Sequence, residues 1–558
     1  MNGPTPTNDA LVSPTDTLLA DLQRSFGHAS FRPGQEPLVR AVLEGHDVLA
    51  VMPTGSGKSL GFQLPAVLLP GLTLVVSPLI ALMKDQVDEL NRRGIATAVL
   101  HSLLSGEDRR CAWKAAECGQ LRLLYVAPER FASERFARLL ADLPLARFVV
   151  DEAHCVSQWG HEFRPDYRRL KDAAARCRRS DGKPGRPPIA AFTATATPEV
   201  RDDIIGLLGL ARPKIIVSGF DRPNIYLQVR PVAGEWEKHG LLPGLVAGRR
   251  ALVYCATRRG AETAAEILRG ALIEAAAYHA GVNDQERMRV QDAFAKRTLH
   301  VVCATNAFGM GIDRPDIDTV VHAAIPGSVE AYYQEIGRAG RDGRPATATL
   351  LWDYADVKTR EFLIDREPEP RPGRPRVPVD PTELAERKAL EHKKLRRMIA
   401  YAETTRCFRA TILRYFGDRP EREPCDACSN CNRRTGINDD QLVVVRKILS
   451  GIARAGERYG KRKVAAMLVG DLEGLPPALT GLSTTGLLRR MDRRSVERWI
   501  DTACGAGLVR QSEDKYQTLS ITAPGREVMA GRVRDVSMTV PSTRPLSFGR
   551  KRRSKRWI

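Results

Sequence analysis

Pro53-Thr54-Gly55-Ser56-Gly57-Lys58-Ser59 follows the apolar run Val48–Met52 and opens a helical stretch. Glycines at these positions let backbone N–H groups turn inward around phosphate oxygens. Lys58 supplies a point charge for the β- and γ-phosphates, and the Ser59 hydroxyl suits Mg²⁺. The first turn of the following helix adds a partial positive charge. Thr54, Gly55, Ser56, Gly57, Lys58 and Ser59 are therefore candidate contacts for ATP. The strict spacing has glycine where this chain has Met52, so spacing alone leaves a ligand-free glycine turn open. Downstream, Asp151-Glu152-Ala153-His154 follows the apolar run Phe148–Val150. An acid at the C-terminal end of a parallel strand is where phosphate-loop enzymes hold Mg²⁺. Asp151 takes that role, Glu152 can orient the attacking water, and His154 completes the box of catalytic candidates.

Around these two segments the chain alternates short β-branched runs with helical stretches, from about Ser25 to Asp365. The first set of runs is Val48–Met52, Thr73–Ser77, Leu121–Val126, Phe148–Val150 and Ile189–Thr193. The second is Ile215–Ser218, Ala251–Cys255, Ala275–His279, His300–Thr305, Thr319–Ala323 and Thr347–Trp352. Continuous apolar strands between helices predict parallel sheets covered on both faces, hence two α/β domains that meet near Leu210–Lys214. A basic stretch, Arg176–Pro188, reads as a solvated loop. Glu367–Pro381 reads as a Pro/Arg-rich linker, followed by a charged helix over about Glu383–Thr404.

The 558 residues suffice for several cores without disulfide staples. Lys+Arg exceed Asp+Glu by 86 − 66 = 20, and the pI is about 9.7, which points to a polyanionic partner such as nucleic acid. No apolar run is long enough to span a bilayer, and the first residues lack a signal-peptide pattern. A cytoplasmic protein with reduced thiols and no membrane partner is expected, and the odd count of 11 cysteines agrees.

Three further constellations carry chemistry. Gln334-Glu335-Ile336-Gly337-Arg338-Ala339-Gly340-Arg341-Asp342-Gly343 places two arginines three apart, on one face if the stretch is helical. Arginines delivered across a domain cleft can stabilise charge on a transferring phosphoryl group. Ser157 to Tyr167 packs Trp159, Phe163 and Tyr167 beside His161 and Arg164. Such aromatics serve an ordinary core, or stack on bases without sequence preference. Cys407 with Cys425, Cys428 and Cys431 offers four thiolates for a closed tetrahedral Zn²⁺ site, and an iron–sulfur cluster uses the same number. Finally, residues from Asp439 to Arg534 show helical periodicity and then a hairpin pattern, Gly507–Gln511 and Tyr516–Thr522, with Ser512–Lys515 at the tip. Helices followed by a hairpin predict a winged helix. The last residues, from Val536, are basic and read as a disordered tail.

Taken in order, these motifs resemble those of the RecQ family of superfamily 2 DNA helicases, from about Ser25 to Met529. The resemblance implies two RecA-like parallel-sheet domains, a helical zinc-binding subdomain and a winged-helix domain. Their expected extents are 25–212, 213–365, 366–435 (with the linker) and 436–535, between a flexible 1–24 and a basic tail 536–558. It accounts for Met52, which is common at that position in the family. It implies that Phe31-Arg32-Pro33-Gly34-Gln35 contacts the nucleotide, with Gln35 reading adenine and Arg32 nearby. His28 stands where the family usually stacks an aromatic on the base. Ser77 and Pro78 resemble a strand-tracking motif, as does Tyr125–Arg130. Phe192–Ala196 resembles the motif that couples the domains. Thr305–Asp313 resembles a motif in which Thr305 meets DNA and Gly311 and Asp313 the nucleotide. Arg338 and Arg341 would be the catalytic arginines. Trp159, His161, Phe163 and Arg164 match the family's aromatic-rich loop, and Tyr516 lies by the hairpin tip. The metal would be structural zinc. The resemblance further implies an ATP-, Mg²⁺- and Zn²⁺-dependent enzyme that translocates 3′→5′ on single-stranded DNA and unwinds duplex DNA in repair and recombination. It would be a monomer, associated with the nucleoid if bacterial and with a single-strand DNA-binding protein as a further partner. An RNA helicase and a DNA-binding regulator with an inactive ATPase are the competing readings. The family's further small helical DNA-binding domain has no room in this chain.

Overall fold

The computed structural model describes residues 14–101, 104–160, 163–305, 314–366, 380–432, 435–512, 517–538 and 540. It divides into two compact units. One comprises the chain up to Ile399 together with Ile412–Arg419, and the other comprises Ala400–Thr411 and the chain from Pro420. Among the described residues, no helix is long and apolar enough to cross a membrane.

The first unit holds two parallel sheets. The strands of the first run in the order Thr97–Leu100, Leu123–Val126, Leu72–Val76, Pro144–Val150, Ile189–Thr193, Val48–Val51 and Lys214–Val217, with the two-residue Arg178–Arg179 paired to Pro144–Leu145. The central strands Leu72–Val76 and Val48–Val51 are buried at every residue, as expected for strands covered on both faces. The phosphate loop, Ser77 and Asp151 each follow directly on the C-terminal end of such a strand, so the parallel topology gathers them at one rim of the sheet.

Several strand expectations need correction. Ile215–Ser218, read above as the start of the second set, falls on strand Lys214–Val217, which pairs in parallel with Val48–Val51 and closes the edge of the first sheet. Its edge position explains why Ile215 and Val217 stay 51% and 39% exposed, and why periodicity could not assign it. Thr97–Leu100, another edge strand of mixed burial, is absent from the expected set. The Arg176–Pro188 stretch is not simply solvated. Arg186 forms a paired contact with buried Asp47, at 3.0 and 2.6 Å, and Asp47 also accepts from the Ile189 and Ala211 amides.

The second sheet runs Ala275–Tyr278, Val301–Ala304, Ala251–Tyr254, Thr319–His322, Ala346–Trp352 and Ile225–Pro231, all parallel. Ile225–Pro231 is unforeseen in sequence because it is an edge strand that alternates. Ile225, Leu227 and Val229 are buried while their neighbours are not.

In the second unit, helices Asp439–Arg454, Lys461–Val469 and Arg493–Gly505 pack on an apolar core with the antiparallel hairpin Val509–Gln511 and Leu519–Ile521. Helices plus a two-stranded wing form the expected winged helix. Its boundary lies later than expected. Ser537–Met538 pairs antiparallel with Thr435–Gly436, and Met538 is fully buried in the same core, so these residues belong to the domain rather than to a tail.

Candidate active site and metal centre

The phosphate loop turns as its glycines require. Gly55 and Gly57 adopt φ of +84° and +78°, a region that other residues enter at a cost. A Cβ on Gly57 would stand 2.5 Å from Gln35 Nε2. Gln35 is buried against the loop: Nε2 donates to the Ser56 and Gly57 carbonyls, each at 3.0 Å, and Oε1 accepts from the Arg32 amide at 2.8 Å. Arg32 donates to the Gly55 carbonyl at 2.7 Å. The loop occupies Gln35 Nε2, while Oε1, which accepts one bond, keeps a second lone pair for a base donor. His28 is exposed. The Thr54 and Ser56 hydroxyls are buried without hydrogen-bond partners. Orphaned donors of this kind are costly, and in a glycine-turned cradle they fit phosphate oxygens. Ser59 Oγ accepts from Gln86 at 3.2 Å.

Asp151 and Glu152 occupy the neighbouring part of the rim. Asp151 is pushed up to about 7 by burial and by the Glu152 charge, against the pull of Lys58. Such a carboxyl becomes a full carboxylate once a cation is beside it, which is what Mg²⁺ supplies. Ser77, expected to track DNA, is itself buried and donates to Asp151 Oδ2 at 3.4 Å. Pro78 is buried too, and its carbonyl accepts from Arg164 at 3.1 Å. Glu152 takes φ +47°, in the left-handed region, and its Oε2 is buried 3.4 Å from His154 Nδ1. His154 Nδ1 is also 2.9 Å from Thr193 Oγ1, and burial together with Lys58 holds the imidazole down at about 3. Thr193 ends the strand between the loop and the box, and its carbonyl accepts from Met52 N at 3.0 Å. The Phe192–Ala196 segment thus touches both halves of the site.

The arginine segment is turned rather than helical, so the condition for a shared face is not met. Helix Val329–Ile336 ends at Gly337, and Arg338 to Asp342 form turns. Beyond the helix Gly340 takes φ +58°, and a Cβ there would stand 2.4 Å from Asn224 Nδ2. The two arginines therefore diverge. Arg338 is 5% exposed and lies beside Tyr254. Arg341 lies over the phosphate loop, its Cγ 3.1 Å from where a Gly55 Cβ would be. Arg222, which sequence reading missed, stitches the two domains at this point. It donates to Thr54 O (3.2 Å), Gly337 O (3.1 Å), Ala339 O (2.9 Å) and Gly340 O (3.0 Å). Its partners are 115 or more residues away, so no local pattern could reveal it.

In the aromatic loop Trp159 is partly exposed, Phe163 faces the Arg168 guanidinium at 5.0 Å, and the Tyr167 hydroxyl donates to Asp151 O at 3.0 Å. Tyr167 is thereby a core residue behind the acidic box. Thr305 is half-buried, its amide bonded to Tyr278 O. His161, Gly311, Asp313 and Tyr516 lie outside the described residues.

The four cysteines come together. Cys407, Cys425, Cys428 and Cys431 are all buried, with their Sγ atoms within 4.8 Å of one another and Cys425–Cys431 at 3.9 Å. A tetrahedral Zn²⁺ with bonds of about 2.3 Å separates its sulfurs by about 3.8 Å, so the cluster fits the ion. Hydrogen bonds within the cluster hold Cys428 and Cys425 below the ordinary thiol range and push Cys407 and Cys431 above it, so all four ionise together only with a cation among them, which Zn²⁺ would supply.

Comparison with known proteins agrees segment by segment. The chain matches the DEAD/DEAH box helicase family over 32–204 and the helicase conserved C-terminal domain over 237–343. It matches the RecQ zinc-binding family over 354–432 and the RQC domain over 437–547. It is 37% identical over 518 residues to the ATP-dependent DNA helicase RecQ of Bacillus subtilis, covering 92% of this chain and 83% of that protein. It is 39% identical to the enzyme of the same name from Haemophilus influenzae, covering 92% and 80%. A solved structure of the helicase MrfA bound to DNA is similar in fold, with a TM-score of 0.50 at 19% identity, covering 72% of this chain and 59% of that one. A phosphate loop faced by arginines, an acidic box, a four-cysteine centre and a winged helix, falling in turn within the matched family segments, leave one conclusion: the chain belongs to the RecQ family and is an ATP- and zinc-dependent, DNA-binding DNA helicase.

Proposed function

We propose that this helicase translocates 3′→5′ on single-stranded DNA and hydrolyses ATP between the two parallel-sheet domains of its first unit. The observation that carries the hydrolytic reading is the arginine segment lying on the phosphate loop, with Arg341 over Gly55 and Arg222 bonded to Thr54, while the direction rests on the family alone. Thr54 to Ser59 cradle the phosphates, with Lys58 supplying charge. Gln35 and Arg32, with His28, serve the base. Ser59 and Asp151 hold Mg²⁺, which neutralises charge on the phosphates when bound. Glu152 orients the water, and the neighbouring neutral His154 ties Glu152 to Thr193. Arg341 meets charge developing on the transferred phosphoryl group, and buried Arg338 fixes the turn that presents it. Trp159, Phe163 and Arg164, with His161 and Thr305, contact or sense the strand, and Tyr516 is a further candidate DNA contact. A monomer in the cytoplasm or nucleoid, acting in repair and recombination beside a single-strand DNA-binding protein, is the setting that the family supports.

Direction is tested by strand displacement with ATP and Mg²⁺ on duplexes with a 3′ or a 5′ single-stranded tail. Release from the 3′-tailed duplex alone is expected. Equal release from both, or release from the 5′-tailed one, refutes the polarity.

Arg222 supplies a second test. Its four carbonyl acceptors belong to the phosphate loop and the arginine turn, so its loss loosens the joint while every catalytic side chain remains. Arg222→Ala is expected to lower DNA-stimulated kcat about 10- to 100-fold, as misplacement of a catalytic group does. The KM for ATP should change by less than about fivefold, because the cradle is intact. A parent-like kcat would show that the joint is dispensable.

A further inference from the structure

The loop after the acidic box is gripped by a helix from far along the chain. Helix Pro381–Ala402 carries Lys393 and Lys394 in succession. Lys394 is 3% exposed. Its Nζ donates to Gly160 O at 2.7 Å and Gln158 O at 3.4 Å, and pairs with Glu391 at 2.9 Å. An ammonium is buried at a cost unless its donors are satisfied, and here the loop backbone satisfies them. Lys393 Nζ stands 4.5 Å from the centre of the Trp159 ring, a ring that remains 38% exposed. Lys394 holds the backbone of the loop, and Lys393 beside it sits against the Trp159 ring, the surface on which a base could stack.

The grip reaches the hydrolytic acid by direct packing. Gly160 leaves no slack, because a Cβ there would stand 2.1 Å from His154 O. His154 in turn lies 3.4 Å from Glu152 and 2.9 Å from Thr193. A shift of Gly160 therefore moves the segment that carries Glu152.

We propose that Lys393 and Lys394 are positioning residues that latch the aromatic loop in its DNA-free setting, and that a base stacking on Trp159 displaces Lys393 and frees the loop. This rests on the reading above of Trp159 as a stacking residue and Glu152 as the water-orienting acid. The competition has a definite sign. An exposed cation–π contact is worth about two- to fivefold in an equilibrium, and base stacking on an aromatic about five- to 150-fold. The base wins, but the lysine raises the DNA concentration needed.

The test measures ATP turnover of the full chain against oligo-dT concentration for the parent, Lys393→Ala, Lys394→Met and Trp159→Ala. Lys394→Met is expected to raise DNA-free turnover about threefold or more, with the DNA-saturated rate within about twofold of the parent. Lys393→Ala is expected to lower the half-saturating oligo-dT concentration about two- to fivefold. Structural damage would depress both rates, so a raised DNA-free rate separates a latch from a misfolded loop. Parent-like DNA-free and half-saturation values in both lysine variants overturn the latch, as does a fall in the saturated rate alone. Trp159→Ala reports on the underlying reading. Full DNA stimulation there removes the stacking role itself, whereas lost stimulation beside parent-like lysine variants removes only the latch.

Discussion

Arg341→Ala should lower DNA-stimulated ATP turnover by about 10³-fold, the low end of what a catalytic arginine contributes to phosphoryl transfer. The size follows from where the residue stands. Its side-chain stem packs on Gly55, so a permanent positive charge accompanies the phosphate loop from the opposite domain. Charge that is stabilised more in the transition state than in the ground state appears in kcat rather than in nucleotide affinity. Nucleotide binding, followed with a fluorescent ATP analogue, should weaken by less than about tenfold, because the backbone amides, Lys58 and the hydroxyls of Thr54 and Ser56 remain. Arg341→Lys should recover little, since a point charge does not reproduce a planar guanidinium fork. Arg338 is a poorer choice for the same experiment. It is buried beside Tyr254, so its removal leaves a cavity and lowers stability as well as rate. Turnover of Arg341→Ala within about tenfold of the parent would place the charge-stabilising group elsewhere.

The contrast between these arginines shows what was legible in the sequence. The phosphate loop and the acidic box declare themselves locally, because Gly55 and Gly57 must take positive φ and Asp151 must end a strand. The central strands are legible for a related reason: burial on both faces leaves an unbroken apolar run. Edge strands escape because half of each faces solvent. Ile225–Pro231 alternates, and Lys214–Val217 shows nothing that ties it to either sheet. Spacing left open whether Arg338–Asp342 is helical or turned, because the close approach of Asn224 to Gly340 is a tertiary contact. Arg222 and Lys394 are the extreme case. Each acts on backbone carbonyls far away in the chain, and carbonyls carry no sequence signature.

Loss of the zinc centre should be the largest single blow to stability. Structural zinc sites contribute about 10–16 kcal/mol of apparent binding free energy in zinc-finger peptides, all of it lost with the metal. Here the four thiols converge from Cys407, at the start of helix Phe408–Tyr415, and from the Cys425–Cys431 run, which has only the short helix Ser429–Asn432. The centre is also wired to its surroundings. Asn430 Nδ2, between two ligands in sequence, donates to Thr404 O and Arg406 O at 2.7 and 2.8 Å. Arg406 in turn donates to Gln511 Oε1, at 2.5 Å, on the first strand of the hairpin. Cys428→Ser, or metal removal with a thiol-specific mercurial and chelator, should therefore lower the melting temperature of the second unit by about 10 °C or more. It should release one zinc per chain and abolish duplex separation. The phosphate-loop residues lie in the first unit, so binding of a fluorescent ATP analogue to the soluble fraction should persist within about threefold. Arg406→Ala isolates the wire from the metal: zinc content stays at one per chain, while unwinding falls further than ATP turnover. Melting and unwinding unchanged after complete zinc release would show that the cysteines hold their fold without the ion, and iron in place of zinc would reassign the centre.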